Sequence, residues 1–226
     1  MAEPVRFAVD ERGVAVITLD RPERRNAINL QMRDLLWEYL GAAAAIPEVR
    51  VILFRGEGPC FSAGADISEF GTAPSIMAAR RARHDRDIWW QLLTHPCVTI
   101  ARMHGYCYGA GLELPLFCDL RLASADARLA LPEVTLAYIP SAGGTQMLPR
   151  IAPPAVAAHL ILTGEPVAAA DALRWGIVDA VFPPADLDAA VEAAIERALA
   201  DPAAARARRL RLLGAADTHE PPAPLP

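Results

Sequence analysis

The sequence predicts an α/β protein in which short apolar strands alternate with helices. Two observations carry this. Residues 51–54 form a brief, continuously apolar run, and 97–101 and 120–123 are short, mainly apolar segments, the pattern of buried strands. Segments with helical spacing of apolar residues separate them, and strands alternating with helices imply βαβ units and mostly parallel pairing.

Taken in order, the apolar runs 5–9 and 14–19 flank Asp10-Glu11-Arg12-Gly13 and read as a hairpin. Leu30, Leu35, Leu36, Tyr39 and Leu40 recur at helical spacing, so a helix is expected over 29–46, ended by Pro47. The run 51–54 leads into the loop Arg55-Gly56-Glu57-Gly58. Residues 74–93 are expected as one helix, arginine-rich in its first half and carrying Trp89, Trp90, Leu92 and Leu93 in its second. After Ile151 the composition shifts. Residues 153–163, 168–175 and 186–200 are alanine-rich helical candidates, with Gly164 and Gly176 as stops. The expected organisation is a core over 1–150, a helical region over 151–212 and an unstructured tail over 213–226.

Composition bounds the function. The chain has 226 residues, 53% of them apolar, with a net charge of −5 and no lysine among its basic residues. A weakly acidic chain without a basic block is a poor binder of nucleic acid or of a membrane surface. Four cysteines (Cys60, Cys97, Cys107, Cys118) form no CxxC pair and no metal-ligand spacing, so they read as reduced, small apolar residues. The first residues lack the apolar stretch of a signal peptide, and no apolar run reaches the ~20 residues of a membrane span. A cytoplasmic location is expected.

Two glutamates stand out by their surroundings. Glu113 lies among Leu112, Leu114, Pro115 and Leu116, just after the small-residue turn Gly109-Ala110-Gly111. Glu133 follows Leu131-Pro132, twenty residues further on, and precedes the loop Ile139–Gln146 with its Gly143-Gly144 pair. Carboxylates in apolar settings are raised in pKa or paired, and either state suits proton transfer. Turns with little side-chain bulk let a substrate carbonyl lie against backbone N–H groups. Pro115 removes a backbone donor two residues past Glu113, so either the helix begins late or it bends there. Gly143-Gly144 lacks the GxGxxG spacing of a dinucleotide site. Ser62, Ser141 and Cys107 lack a spaced His/Asp set. Trp89 and Trp90 read as core, and the arginine run 80–86 with His84 as a solvated helix face.

Three blocks carry a resemblance. They are Arg21-Pro22-Glu23-Arg24-Arg25-Asn26-Ala27-Ile28, Cys60-Phe61-Ser62-Ala63-Gly64-Ala65-Asp66-Ile67-Ser68-Glu69-Phe70, and the stretch 103–146. Together, in this order, they resemble the crotonase (enoyl-CoA hydratase/isomerase) family from about residue 14 to about residue 200. The resemblance implies a repeated ββα superhelix with a C-terminal helical region, shortened here. It implies hydration of 2-enoyl-CoA thioesters to 3-hydroxyacyl-CoA, with coenzyme A entering as part of the substrate and no metal or redox cofactor. By position, the amides of Ala65 and Ala110 would form the oxyanion hole, Glu133 would donate the C2 proton, and Glu113 would orient water. Arg24 and Ala27 would line the nucleotide end of coenzyme A, and Ala63, Asp66 and Ile67 its pantetheine and acyl end. A homotrimer or a dimer of trimers is implied. An enoyl-CoA isomerase, another lyase or hydrolase of the family, and a silent binding subunit remain alternatives.

Overall fold

The computed structural model describes residues 3–78, 81 and 85–206. A six-stranded sheet runs in the order β1 (Val5–Val9), β2 (Val14–Leu19), β3 (Val51–Gly56), β4 (Val98–Met103), β6 (Leu120–Ser124), β9 (Ala180–Phe182). The β1–β2 hairpin is antiparallel, and every later pairing in this sheet is parallel. A smaller sheet joins β5 (Tyr106–Tyr108), β7 (Arg128–Ala130) and β8 (Val167–Ala168). Two parallel bridges, Ser62 with Cys107 and Ile28 with Ala65, continue this second layer beyond β5.

The chain therefore coils. Each turn lays one strand in the large sheet, a short extended piece in the small one, and then a helix. The first turn is β2, Ile28 and α1 (Leu30–Ala45). The second is β3, the stretch holding Ser62 and Ala65, and α2 (Ile88–Thr94). The third is β4, β5 and α3 (Ala110–Leu116). The fourth is β6, β7 and the helices α4 (Gly144–Ile151) and α5 (Pro154–Thr163). The segment after Ile151, read from sequence as helical, also supplies β8 and β9 besides α6 (Ala169–Arg174) and α7 (Leu187–Ala200).

Both faces of the large sheet are covered, which is why its strands are mainly apolar, with Val51–Phe54 unbroken. Ala15, Ile17, Leu19, Ile52 and Phe54 face one core, packed with α1 and α3. Val14, Val51, Leu53, Val98 and Ile100 face a second core, closed by Leu187, Val191, Ile195 and Ala198 of α7. The apolar stripe of α7 is thus spent on its own sheet. All four cysteines are buried.

One helix differs from expectation. The single helix expected over 74–93 is broken: among the described residues 76–78 and 81 are helical, a turn follows at Asp85-Arg86, and α2 starts afresh at Ile88. The reason is local: Asp87 Oδ1 accepts hydrogen bonds from the amides of Trp89 (3.1 Å) and Trp90 (3.0 Å), which starts a new helix there. Residues 79, 80 and 82–84 of the arginine run, and the tail over 213–226, lie outside the described residues. Arg86, at the end of that run, pairs with Asp34 at 2.8 Å and lies over the Trp37 ring. Among the described residues, no helix is long and apolar enough to cross a membrane.

Candidate active site

The second, third and fourth turns of the coil meet around a cavity of about 390 Å³. Ala63, Gly64 and Ala65 line it from the second turn, Gly109, Ala110 and Glu113 from the third, and Pro132, Glu133, Leu136 and Tyr138 from the fourth.

Two glycines let the backbones touch. A methyl group on Gly64 would lie 2.8 Å from the Tyr108 carbonyl oxygen, and Gly64 also has φ +103. Gly109 has φ 50 and ψ −127, a conformation that L side chains rarely adopt. Their close approach sets Ala65 and Ala110 side by side. The bridge to Ile28 uses the Gly64 carbonyl (2.7 Å) and the Asp66 amide (2.9 Å). In a parallel ladder that leaves the Ala65 N–H pointing to the opposite side. Ala110 is the first residue of α3, where backbone N–H groups have no intrahelical acceptor. Two amides with these orientations on one cavity wall can bind a carbonyl oxygen that gains negative charge.

The carboxylates are held differently. Glu113 is 2% exposed, and its Oε1 accepts from the amides of Ala142 (2.9 Å) and Gly144 (2.8 Å). Gly144 must be glycine for this, because a methyl group there would lie 2.9 Å from Glu113 Oε1. Pro115 falls inside α3, yet Glu113 keeps its place: its own N–H donates to the Gly109 carbonyl at 2.8 Å, and its carboxylate reaches the cavity. Glu133 sits in the first turn of the short 3₁₀ segment Pro132–Leu136. Its Oε2 is buried and has no hydrogen-bond partner among the described residues, and Oε1 would be 2.9 Å from a methyl on Gly109. Burial pushes its carboxyl above the usual range. One carboxyl group is therefore held by amides, and burial raises the pKa of the other.

The anchoring of Glu113 has a measurable consequence. Glu113→Ala removes the acceptor of two amides in a closed environment, so it should destabilise the fold by about 1–3 kcal/mol. Glu113→Gln retains a carbonyl oxygen for both and should unfold near the parent temperature. A Glu113→Ala protein as stable as the parent would show that the two amides find other partners.

The residues expected along coenzyme A separate into two groups. Ala63 and Ile67 line the cavity. Arg24 stands exposed on the short 3₁₀ turn Pro22–Arg24, and neither it nor Ala27 nor Asp66 is part of the cavity wall. Asp66 caps the turn Ile67–Glu69, bonding the Ser68 hydroxyl at 2.6 Å and pairing with Arg21 at 3.0 Å. The Ser68 hydrogen bond foremost, with help from Arg21, holds its carboxyl below the usual range. Sequence reasoning missed Phe70, Leu136, Tyr138 and Arg33 as cavity residues, and it read Trp89 as core only. Trp89 does pack on Phe117, with ring centroids 5.7 Å apart, but another part of it borders the cavity. The signal for Phe70 and Tyr138 was weak: each is an exposed aromatic in a loop, and the two meet at 5.6 Å only after folding.

Residues 10–218 match the family described as enoyl-CoA hydratase/isomerase. The chain belongs to that family. The coil of strand, short strand and helix is its crotonase fold. Over 173 residues the chain is 38% identical to a 2,3-dehydroadipyl-CoA hydratase of Escherichia coli K12, a match spanning 76% of this chain and 67% of that protein. Over 178 residues it is 39% identical to a probable enoyl-CoA hydratase of Bacillus subtilis, spanning 77% of this chain and 67% of that protein. Among solved structures, a protein from Thermobifida fusca described as an enoyl-CoA hydratase in complex with CoA superposes with a TM-score of 0.82 at 34% identity, covering 95% of this chain and 86% of that one.

Proposed function

We propose that this crotonase-family enzyme adds water across the double bond of a 2-enoyl-CoA thioester to give the 3-hydroxyacyl-CoA. One observation carries the reading: Glu113 and Glu133 share a cavity with the Ala65 and Ala110 amides, one carboxylate anchored and the other buried with its pKa raised. The thioester oxygen would rest on the two amides and become enolate-like as the nucleophile adds. Glu113, its Oε1 fixed by two N–H groups, would orient the water and draw off its proton as oxygen bonds to C3. Glu133, protonated, would deliver hydrogen to C2. Ala63 and Ile67 would line the pantetheine and acyl end of the thioester, together with Asp66 nearby. Arg24 and Ala27, outside the cavity, would serve the nucleotide end.

The test is a panel of CoA thioesters followed by loss of enoyl absorbance, with product analysis for double-bond migration. Formation of 3-hydroxyacyl-CoA supports the proposal. Migration without hydration would make the enzyme an isomerase, and binding without turnover would make it a silent family member.

We also propose a homotrimer or a dimer of trimers. The support is a set of exposed apolar side chains outside the cavity, including Ile139, Leu162 and Leu173, which are costly to leave in water. Light scattering should show a trimer or hexamer at micromolar concentration, and a stable monomer would reject it.

A further inference from the structure

Helix α1 brings a cation to the wall of a cavity that Asp87 and Trp89, at the start of α2, also border. Arg33 lies one turn into α1, its amide bonded to the Asn29 carbonyl at 3.0 Å, and its half-buried side chain lines the cavity. The same cavity is bordered by the apolar side chains of Ile28, Ile67, Phe70 and Trp89. The other charge contributed from this side, Asp87, has Oδ1 turned to the amides that open α2. None of the chemistry proposed at Glu113, Glu133, Ala65 and Ala110 uses Arg33.

We propose that Arg33 selects enoyl thioesters whose acyl group ends in a carboxylate. This rests on the hydratase reading of the site and names its substrate class. A guanidinium against apolar walls has less water to solvate it, and attraction to an anion strengthens as the local dielectric falls. Its planar set of five N–H donors can grip a carboxylate through two of them while still serving a neighbour within the protein. A methyl-terminated chain in the same place would offer those donors no acceptor. Sites built around such donors discriminate strongly against ligands that lack the acceptor. The phosphates of coenzyme A are the other anions within the ligand, so the experiment separates them from the acyl end.

The experiment compares two enoyl thioesters of equal chain length, one ending in a carboxylate and one in a methyl group, each attached to coenzyme A and to phosphate-free pantetheine. The parent enzyme should prefer the carboxylate-terminated acyl group by at least roughly tenfold in kcat/KM on either carrier. Arg33→Gln and Arg33→Met should lose that preference, bringing the two acyl types to within about threefold of one another in kcat/KM. Calorimetry with the two saturated acyl thioesters, which need no turnover, should show the same preference in binding. If the preference appears in binding but nothing is hydrated, the substrate class stands and the hydratase reading falls. A parent enzyme that favours the methyl-terminated chain overturns the proposal. So does an Arg33 substitution that weakens both acyl types equally, or one whose effect vanishes on pantetheine.

Discussion

Glu133→Gln is expected to lower hydration kcat by at least ~10²-fold while making the folded protein more resistant to heat at neutral pH. The two effects share one cause. Glu133 is buried, Oε2 lacks a partner among the described residues, and its carboxyl titrates above the ordinary glutamate value of 4.5 because burial penalises the charged form. A raised carboxyl pKa favours folding only while the group is protonated. That contribution is fully present below 4.5 and is lost as the pH rises through the higher folded value. As the pH rises above that window the titrating carboxyl becomes a burden on the fold, and glutamine removes it. The difference in melting temperature between variant and parent should be small in acid and grow across the window above 4.5. In the parent, kcat/KM should fall on the alkaline side as the proton donor ionises. A variant with parental turnover removes Glu133 from the mechanism. A variant less stable than the parent at neutral pH would show that burial does not govern this carboxyl.

Ala110→Pro should cost ~10²–10³ in kcat and leave the protein folded. Proline normally threatens a helix, but Ala110 is its first residue, where proline is well accommodated and the missing N–H has no intrahelical role. The preceding residue must avoid helical dihedrals, and Gly109, at φ 50 and ψ −127, already does. The substitution therefore deletes one oxyanion donor with little else disturbed. Ala110→Gly keeps the N–H and should change the kinetics little. Binding of the CoA product, measured by calorimetry, should suffer less than turnover, because the amide acts on charge that develops in the transition state. Parental hydration by a folded Ala110→Pro protein would place the thioester oxygen elsewhere.

The large sheet was legible because burial on both faces writes itself as runs such as Val51–Phe54, and the helices because their apolar residues recur at fixed spacing. The short strands β5, β7 and β9 were not, since three residues carry no periodicity of their own. Asp87 was misread for a related reason: one capping side chain outweighs the helical preference of the residues around it. At the site, Glu113 and Glu133 were conspicuous as acids among apolar neighbours. What secures Glu113 was not visible, because its partners are backbone groups 29 and 31 positions away. Phe70, Tyr138 and Arg33 look like ordinary surface residues in the sequence, and only the coil brings them to one cavity.

The meeting of Gly64 and Gly109 divides the site into parts with different exposure to mutation. Most side-chain replacements at Ala65 or Ala110 still present an N–H, so random substitution rarely deletes the oxyanion contacts; it takes a proline or a distorted turn. The acids and the cavity walls have no such protection, since every one of them is a side chain. Under the mechanism proposed above, such a scaffold would keep the polarisation of the thioester while the proton donor, the water-holding group and the fit to the acyl chain drift independently. A library randomised at the wall positions should therefore yield variants that change which thioester is processed far more often than variants that no longer polarise a thioester at all.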